Sequence, residues 1–175
     1  MPPCDQCGFD YDTMVASEVP STLSSLGQRF RESLLSESPE VLRRRPRHDV
    51  WSGLEYACHV RDVTLVQRDR LYLALVEDKP SFPRMYRDER VELARYNGQD
   101  PLTVADHVAM AAELAASAFG DLEEHHWTRR LIYNWPTPQG KDVAWLAAHT
   151  VHEAQHHRGD FLAVVSGRVP GKSRT

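Results

Sequence analysis

Hydrophobic residues recur every three or four positions along four long segments of the chain, a spacing typical of amphipathic α-helices. Two of these segments begin with strong helix-start signals, a Ser-x-x-Glu capping box at Ser52 and the dipeptide Asp100-Pro101. We find no set of segments with the period-two alternation of β-strands. The pattern predicts an all-α protein, and four long helices joined by polar loops predict a four-helix bundle. In chain order the four segments span residues 19–37, 52–78, 100–122 and 141–166.

The helices divide the chain into three predicted regions. The bundle is expected at residues 18–168, preceded by an N-terminal arm at 1–17 and followed by a C-terminal tail at 169–175. Between the third and fourth helices, residues 127–140 contain Trp135-Pro136-Thr137-Pro138. This stretch fits either a loop or a short hairpin. A chain of 175 residues is long enough for one domain with a hydrophobic core.

The composition argues against several classes of protein. The net charge of -4 argues against nucleic-acid binding, which needs a clustered basic surface. No apolar stretch approaches the roughly 20 residues of a membrane span, and the N-terminus does not resemble a signal peptide. Three cysteines do not make a disulfide framework. We therefore expect a cytoplasmic protein that binds neither nucleic acid nor membranes.

Four of the nine histidines crowd into the fourth helix. Several pairs there have the i, i+4 spacing that places two metal ligands on one helical face, so spacing alone does not choose among them. A helical wheel places His157 about 40° and Glu153 about 80° from the centre of the apolar face. His149 lies about 120° away, His156 about 140°, and His152 nearly opposite. Glu153 and His157 therefore flank the core, whereas His152 and His156 are predicted to be exposed.

Glu153 needs a partner near the core, because a buried carboxylate is costly unless it is paired or binds a metal ion. An ion pair between Glu153 and His157 explains the pattern as well as a metal site does. In the second helix, His59 is a candidate third ligand, although a lone helical histidine is more often a hydrogen-bonded core residue. Glu55 and Asp62 lie one turn away on either side of His59. Either carboxylate is a candidate to orient the second ring nitrogen of His59.

Three ligands of the types His, Glu and His on two helices would leave a coordination position open, as in catalytic metal sites. Two nitrogens and one carboxylate suit Zn²⁺ best, with Ni²⁺, Mn²⁺ or Fe²⁺ as alternatives. His149 is an alternative or additional ligand, and a closed site with four protein ligands would favour a structural role. Arg61 and Arg158 are candidates to hold an anionic group of a substrate.

Two motifs connect these residues with a known family. Trp51-Ser52-x-x-Glu55-Tyr56-x-x-His59 and Glu153-x-x-x-His157-Arg158-Gly159-Asp160 resemble motifs of the DinB/YfiT-like superfamily of metal-binding four-helix bundles. The resemblance extends over about residues 21–167. It implies that His59, Glu153 and His157 are the metal ligands. Most members have histidine where Glu153 stands, and the glutamate resembles the mycothiol-dependent maleylpyruvate isomerase branch.

The resemblance also implies a function. The known enzymes of the superfamily are largely S-transferases and isomerases that use low-molecular-weight thiols such as mycothiol. A metal-dependent thiol S-transferase or related enzyme is therefore expected, with a small-molecule thiol and an electrophile as its partners and a homodimer as its assembly. A non-catalytic metal-binding stress-response protein is the alternative. Only three of the 21 basic residues are lysines, a bias typical of high-GC bacterial genomes.

The cysteines raise a separate question. Cys4 and Cys7 form a Cys-x-x-Cys pair, which is half of a common zinc-binding pattern. No second pair follows, so a four-cysteine site within one chain is excluded. A reversible disulfide or an untethered arm is favoured over a metal site completed by histidines or by another chain. Cys58 points about 100° away from His59 and is expected to be a small core residue.

Overall fold

The computed structural model describes residues 3–171, and its four long helices form the predicted four-helix bundle. Residues 1 and 2 of the predicted arm and residues 172–175 of the predicted tail lie outside the described residues. Two short helices, α2 and α4, lie between the long ones. The helices are α1 (Val19–Ser36), α2 (Pro39–Arg43), α3 (Gly53–Val76), α4 (Arg87–Leu93), α5 (Pro101–Gly120) and α6 (Val143–Val165).

The long helices pack so that α1 and α3 occupy opposite corners of the bundle, and each contacts both α5 and α6. Helix α5 is long and apolar enough to cross a membrane by length and composition alone, which the sequence analysis did not expect. Its many alanines face α1 and α3 and are buried there. Burial in the bundle accounts for this composition.

Polar side chains cap three of the four long helices, at Ser52 and Asp100 as the sequence predicts and also at Asp142. Ser52 accepts a hydrogen bond from the backbone nitrogen of Glu55, while Glu55 accepts one from the nitrogen of Ser52, so the capping box is complete. Asp100 caps α5 through the nitrogen of Thr103. Asp142 caps α6 through the nitrogen of Trp145. Each cap satisfies a donor that the first helical turn leaves free.

The stretch before α6 forms a β-hairpin, which decides between the two predicted alternatives. Strands β2 (Arg130–Asn134) and β3 (Pro138–Asp142) pair in antiparallel register, and the short strand β1 (Ser81–Phe82) pairs in parallel with β2. The guanidinium of Arg129 donates to backbone carbonyls of Ala74 and Glu77 at the end of α3. Because β3 leads directly into α6, the sheet fixes where α6 begins relative to α3.

The arm folds back over α6 instead of leaving that face exposed. Phe9 is buried, and its ring lies 5.1 Å from the ring of Tyr11 and 5.2 Å from that of His152. His152 and His156 are consequently only 6% and 7% exposed. The prediction that these two histidines are exposed is wrong, because a helical wheel does not include a segment that covers the polar face of its helix.

Candidate metal centre

His59 on α3 and the pair Glu153 and His157 on α6 meet inside the bundle. The Oε2 atom of Glu153 lies 3.6 Å from Nε2 of His59 and 3.6 Å from Nε2 of His157. One ligand atom from each of the three residues lies within 4.8 Å of the other two. The structure therefore brings the three predicted ligands together, and their role as ligands stays a prediction.

The spacing and the unpaired nitrogens of this cluster fit a divalent ion. Two ligand atoms about 2.1 Å from a tetrahedral zinc ion lie about 3.4 Å apart, close to the 3.6 Å seen here. That distance is too long for a good hydrogen bond. Both ring nitrogens of His59 are buried and have no hydrogen-bond partner within residues 3–171. A buried nitrogen without a partner is costly in a structural role and is available to a ligand.

The electrostatics of the cluster make Glu153 its negative centre. Burial alone would raise the pKa of Glu153, but the rings of His157 and His59 hold it well below its usual value. Burial lowers the pKa of His59, which keeps that ring neutral. Burial also opposes the charge on His157, but the carboxylates of Asp160 and Glu153 outweigh it and raise the His157 pKa to about 9. A bound ion would take the place of the proton on His157.

Asp160 orients His157, a role that the sequence pattern did not reveal. One carboxylate oxygen lies 2.9 Å from Nδ1 of His157, which leaves Nε2 directed at Glu153. The same oxygen lies 3.6 Å from Nε2 of His156. A carboxylate behind an imidazole is the usual outer partner of a metal-binding histidine. The i, i+3 spacing of His157 and Asp160 is the feature of the sequence that could have indicated this contact.

His149 lies beside the cluster but has other partners. Its Nε2 is 3.7 Å from Glu153 and 3.2 Å from the hydroxyl of Tyr133, and its Nδ1 is 2.8 Å from the hydroxyl of Tyr11. Buried Gln67 and Arg70 donate to the same Tyr133 hydroxyl. This network was missed, because its members come from distant segments with no common motif. It occupies both nitrogens of His149.

Glu55 and Asp62 do not orient His59, contrary to the prediction. Glu55 is buried and pairs with Arg45 in addition to capping α3. Asp62 accepts hydrogen bonds from Arg61 at 2.6 Å and from the hydroxyl of Tyr96 at 2.5 Å. Both carboxylates are thus used in linking α3 to its neighbouring loops, although each lies within one helical turn of His59.

Cys58 behaves as the predicted core residue. It is fully buried, and burial raises the pKa of its thiol to about 12. The thiol donates weakly to the carbonyl of Tyr96 at 3.8 Å. A protonated thiol in the core is a poor ligand and a poor nucleophile.

Two cavities reach the cluster from different sides. One of about 200 Å³ is lined by His59 and Glu153, and the other, of about 360 Å³, is lined by His157 and Asp160. Arg87 at the start of α4 lines both. The smaller cavity also contains Arg84, Tyr133 and Trp135.

The predicted anion-holding residues are not in these cavities. Arg61 is paired with Asp62, and Arg158 lines a separate depression beside the arm. Arg84 and Arg87 line the smaller cavity instead, together with Asp88 and with Glu89, which pairs with Arg84. Arg84 lies in the loop before α4 and Arg87 at the first position of that short helix, where hydrophobic patterning carries little information about position.

The structure brings the second predicted pair, Cys4 and Cys7, to a different face of α6. There one ligand atom from each cysteine lies within 4.8 Å of ligand atoms of His152 and His156. Neither cysteine is in a disulfide. The arm is therefore not untethered, since its cysteines lie against the helix.

Comparison with known proteins agrees with this architecture. The sequence profile of the DinB superfamily matches residues 22–161. The structure is similar to that of YfiT from Bacillus subtilis, described as a probable metal-dependent hydrolase with an unusual four-helix bundle topology. The two share 14% identity, each chain is covered to 85%, and the TM-score is 0.78. At that identity the likeness establishes the fold. No protein with a curated description matches the chain significantly.

Proposed function

We propose that this chain, which belongs to the DinB superfamily, is a metal-dependent enzyme that transfers a small-molecule thiol to an electrophile. His59, Glu153 and His157 would hold the ion, with Zn²⁺ the best match to two imidazoles and one carboxylate. A bound divalent ion supplies Lewis acidity that lowers the pKa of a coordinated thiol. His149 is held by two tyrosine hydroxyls, which supports a site with three protein ligands and an open position.

The main support for this proposal comes from the two cavities that adjoin the cluster. A transferase must hold two organic substrates next to one reactive centre, whereas a hydrolase needs only one beside water. One cavity adjoins His59 and Glu153, the other adjoins His157, and together they offer separate places for a thiol and an electrophile. Holding both reactants beside one centre is itself a large part of catalysis.

The residues around the cavities suggest the chemical class of the substrates. Arg87, which lines both cavities, favours a carboxylate or another anionic group on a substrate, whereas Arg84 in the smaller cavity is paired with Glu89. Trp135 is 40% exposed at the rim of the smaller cavity and offers an apolar surface to the same molecule. We infer an anionic electrophile and a small thiol, of which mycothiol is one candidate.

The first test is metal content by plasma mass spectrometry on the native chain beside Glu153→Ala and His59→Ala. The expected result is that both variants lose one metal ion per chain, because each removes one of three ligands. His107→Ala, at an exposed position, is the matched control and should retain the native content. Unchanged metal in both ligand variants would refute the ligand set.

The second test measures the consumption of thiols by an anionic electrophile with the zinc-loaded chain, using cysteine, glutathione and mycothiol in turn. The expected rate depends on added metal and falls to the background in Glu153→Ala. Hydrolysis of activated esters is measured in parallel. Metal-dependent ester hydrolysis without thiol consumption would replace the transferase with a hydrolase. Full metal loading with neither activity would favour the non-catalytic alternative.

A further inference from the structure

The N-terminal arm carries a turn that places two thiols side by side. The backbone nitrogen of Cys4 donates to the carbonyl of Phe9, and the nitrogen of Gly8 donates to the carbonyl of Cys4, both at 2.8 Å. Gly8 adopts a φ of +69°, a left-handed conformation that glycine adopts without strain. This closed turn brings Cys7 back toward Cys4, and both thiols face α6.

Two imidazoles of α6 complete the cluster beneath the arm. His152 and His156 are one helical turn apart, which places them on the same face. Sγ of Cys4 lies 3.7 Å from Nδ1 of His156, and donor atoms of all four side chains lie within 4.8 Å of one another. A sulfur about 2.3 Å and a nitrogen about 2.0 Å from a tetrahedral zinc ion are separated by about 3.5 Å. The spacing therefore suits zinc.

The outer contacts of the two imidazoles are those of metal ligands. The hydroxyl of Tyr11 lies 2.8 Å from Nδ1 of His152, while Nε2 of that ring is buried and has no hydrogen-bond partner within residues 3–171. Nε2 of His156 lies 3.6 Å from the carboxylate of Asp160, on the side of the ring away from Cys4. Each ring thus has one nitrogen with a polar neighbour and one nitrogen available to an ion.

We propose that Cys4, Cys7, His152 and His156 form a second, structural zinc site that fastens the arm to α6. The two thiols release their protons to solvent, and the two thiolates neutralise the charge of the ion while the imidazoles stay neutral. Four protein ligands close the site, in contrast to the three-ligand cluster at His59. The two sites share no ligand, so the structural site does not depend on the proposed enzyme activity.

Cobalt(II) distinguishes the two sites, because only the arm site contains sulfur. Cobalt is titrated into the reduced, metal-free full chain, and thiolate-to-cobalt charge-transfer absorption is followed in the near ultraviolet. The expected band reaches its full intensity by two cobalt ions per native chain, and by one in Glu153→Ala, where only the arm site remains, and it disappears when zinc is added. It should be absent from the double variant Cys4→Ser, Cys7→Ser. Its full intensity should be unchanged in Cys58→Ala, the matched cysteine control, and in Glu153→Ala.

A native chain that shows no band after reduction would overturn the proposal, as would a band that survives in the double variant. Isolation of a Cys4–Cys7 disulfide whose reduced form fails to bind cobalt would assign the pair to redox chemistry instead.

A second experiment uses the native sequence, so its result does not depend on whether the cysteine variant folds. Chymotrypsin should cleave the native chain next to Phe9 and Tyr11 after chelation, and zinc should protect these bonds. Equal cleavage in both states would also refute the site.

Discussion

Asp160 stands between two neighbouring imidazoles of α6. Its Oδ2 atom is 2.9 Å from Nδ1 of His157 and 3.6 Å from Nε2 of His156. These two rings belong to different clusters, since consecutive helical residues point about 100° apart. The carboxylate is hydrogen-bonded to the ring of one cluster and only approaches the ring of the other, so its loss should weaken the His59 cluster without removing a ligand from it.

We predict that Asp160→Asn lowers zinc affinity about 10–100-fold at the His59 cluster. The amide keeps the shape of the side chain but loses the charge that favours a donating ring N–H on His157. Competition titration with a chelating dye measures the change. Asp106→Asn serves as the control, because Asp106 is exposed and pairs with Arg31 on the surface. Equal affinities in the two variants would show that Asp160 does not position a ligand.

Glu55 is a buried carboxylate whose charge is compensated by Arg45. We predict that Arg45→Met lowers the free energy of unfolding by about 2 kcal/mol, because it leaves a buried charge with fewer partners. Arg47→Met should change it by less than about 0.5 kcal/mol, since the Arg47–Asp49 pair is exposed. Urea unfolding of both variants measures the difference, and equal losses would contradict the assignment.

The residue scale was only partly predictable from the sequence. The periodicity of α6 indicated that Glu153 and His157 lie beside its apolar face, so the sequence could predict that the two side chains come close together. The pairing of Glu55 with Arg45 and of Asp62 with Tyr96 could not be predicted, because Arg45 and Tyr96 lie in separate loops. Which of several carboxylates near a histidine contacts it depends on tertiary packing that spacing does not specify.

At the scale of elements, the closest packing joins α1 and α5. A Cβ atom at Gly27 of α1 would lie only 2.5 Å from Cβ of Ala112, so these two helices approach one another where both side chains are smallest. Ala109 borders the same contact. A larger residue at this point must separate the helices or bend one of them.

We predict that Gly27→Ala lowers the free energy of unfolding by about 1–3 kcal/mol, although alanine has the higher helix propensity. Gly159→Ala in α6 provides the matched comparison, because a Cβ atom there meets nothing within 4 Å. That change should stabilise the protein by about 0.5–1 kcal/mol. Chemical unfolding of the two variants measures both changes in the free energy of unfolding. Stabilisation by both substitutions would show that the helices are not in close contact at Gly27.

The sequence predicted the long helices well, together with the capping residues Ser52 and Asp100, since periodicity and caps are local signals. The small sheet was harder to foresee. Strand β3 is polar and largely exposed along Pro138–Asp142, so it lacks the alternation that marks a half-buried strand. The docking of the predicted arm was also missed, because its few apolar residues reveal no partner until the fold places α6 beneath Phe9.

At the scale of the whole molecule, the two proposed sites lie on different faces of one helix and reach different parts of the fold. The cluster at His59 joins α3 to α6, and the cluster at Cys4 joins the arm to α6. Removal of metal should therefore weaken the contact between α3 and α6 as well as the docking of the arm on α6.

We predict that zinc at about 100 times its dissociation constant raises the unfolding temperature of the chelated chain by about 5–10 °C per site. The reason is that the ion binds the folded state and not the dispersed ligands of the unfolded one. Differential scanning calorimetry measures the shift. Cys7→Ser should retain only the contribution of the His59 cluster, and Cys7→Ser combined with His59→Ala should show no response. A full shift in the combined variant would place the bound zinc elsewhere.

The aromatic residues around the histidines give the protein optical reporters of its own. The indole of Trp51 lies 5.2 Å from the ring of His59, while the indole of Trp145 stacks 4.6 Å from His149 and 6.0 Å from Tyr11 of the arm. A paramagnetic ion such as Ni²⁺ quenches the fluorescence of a nearby indole. Trp51 would report on the helix cluster and Trp145 on the docking of the arm. The chain has four tryptophans, so variants that keep only Trp51 or only Trp145 would make the order in which the two sites fill readable from intrinsic emission.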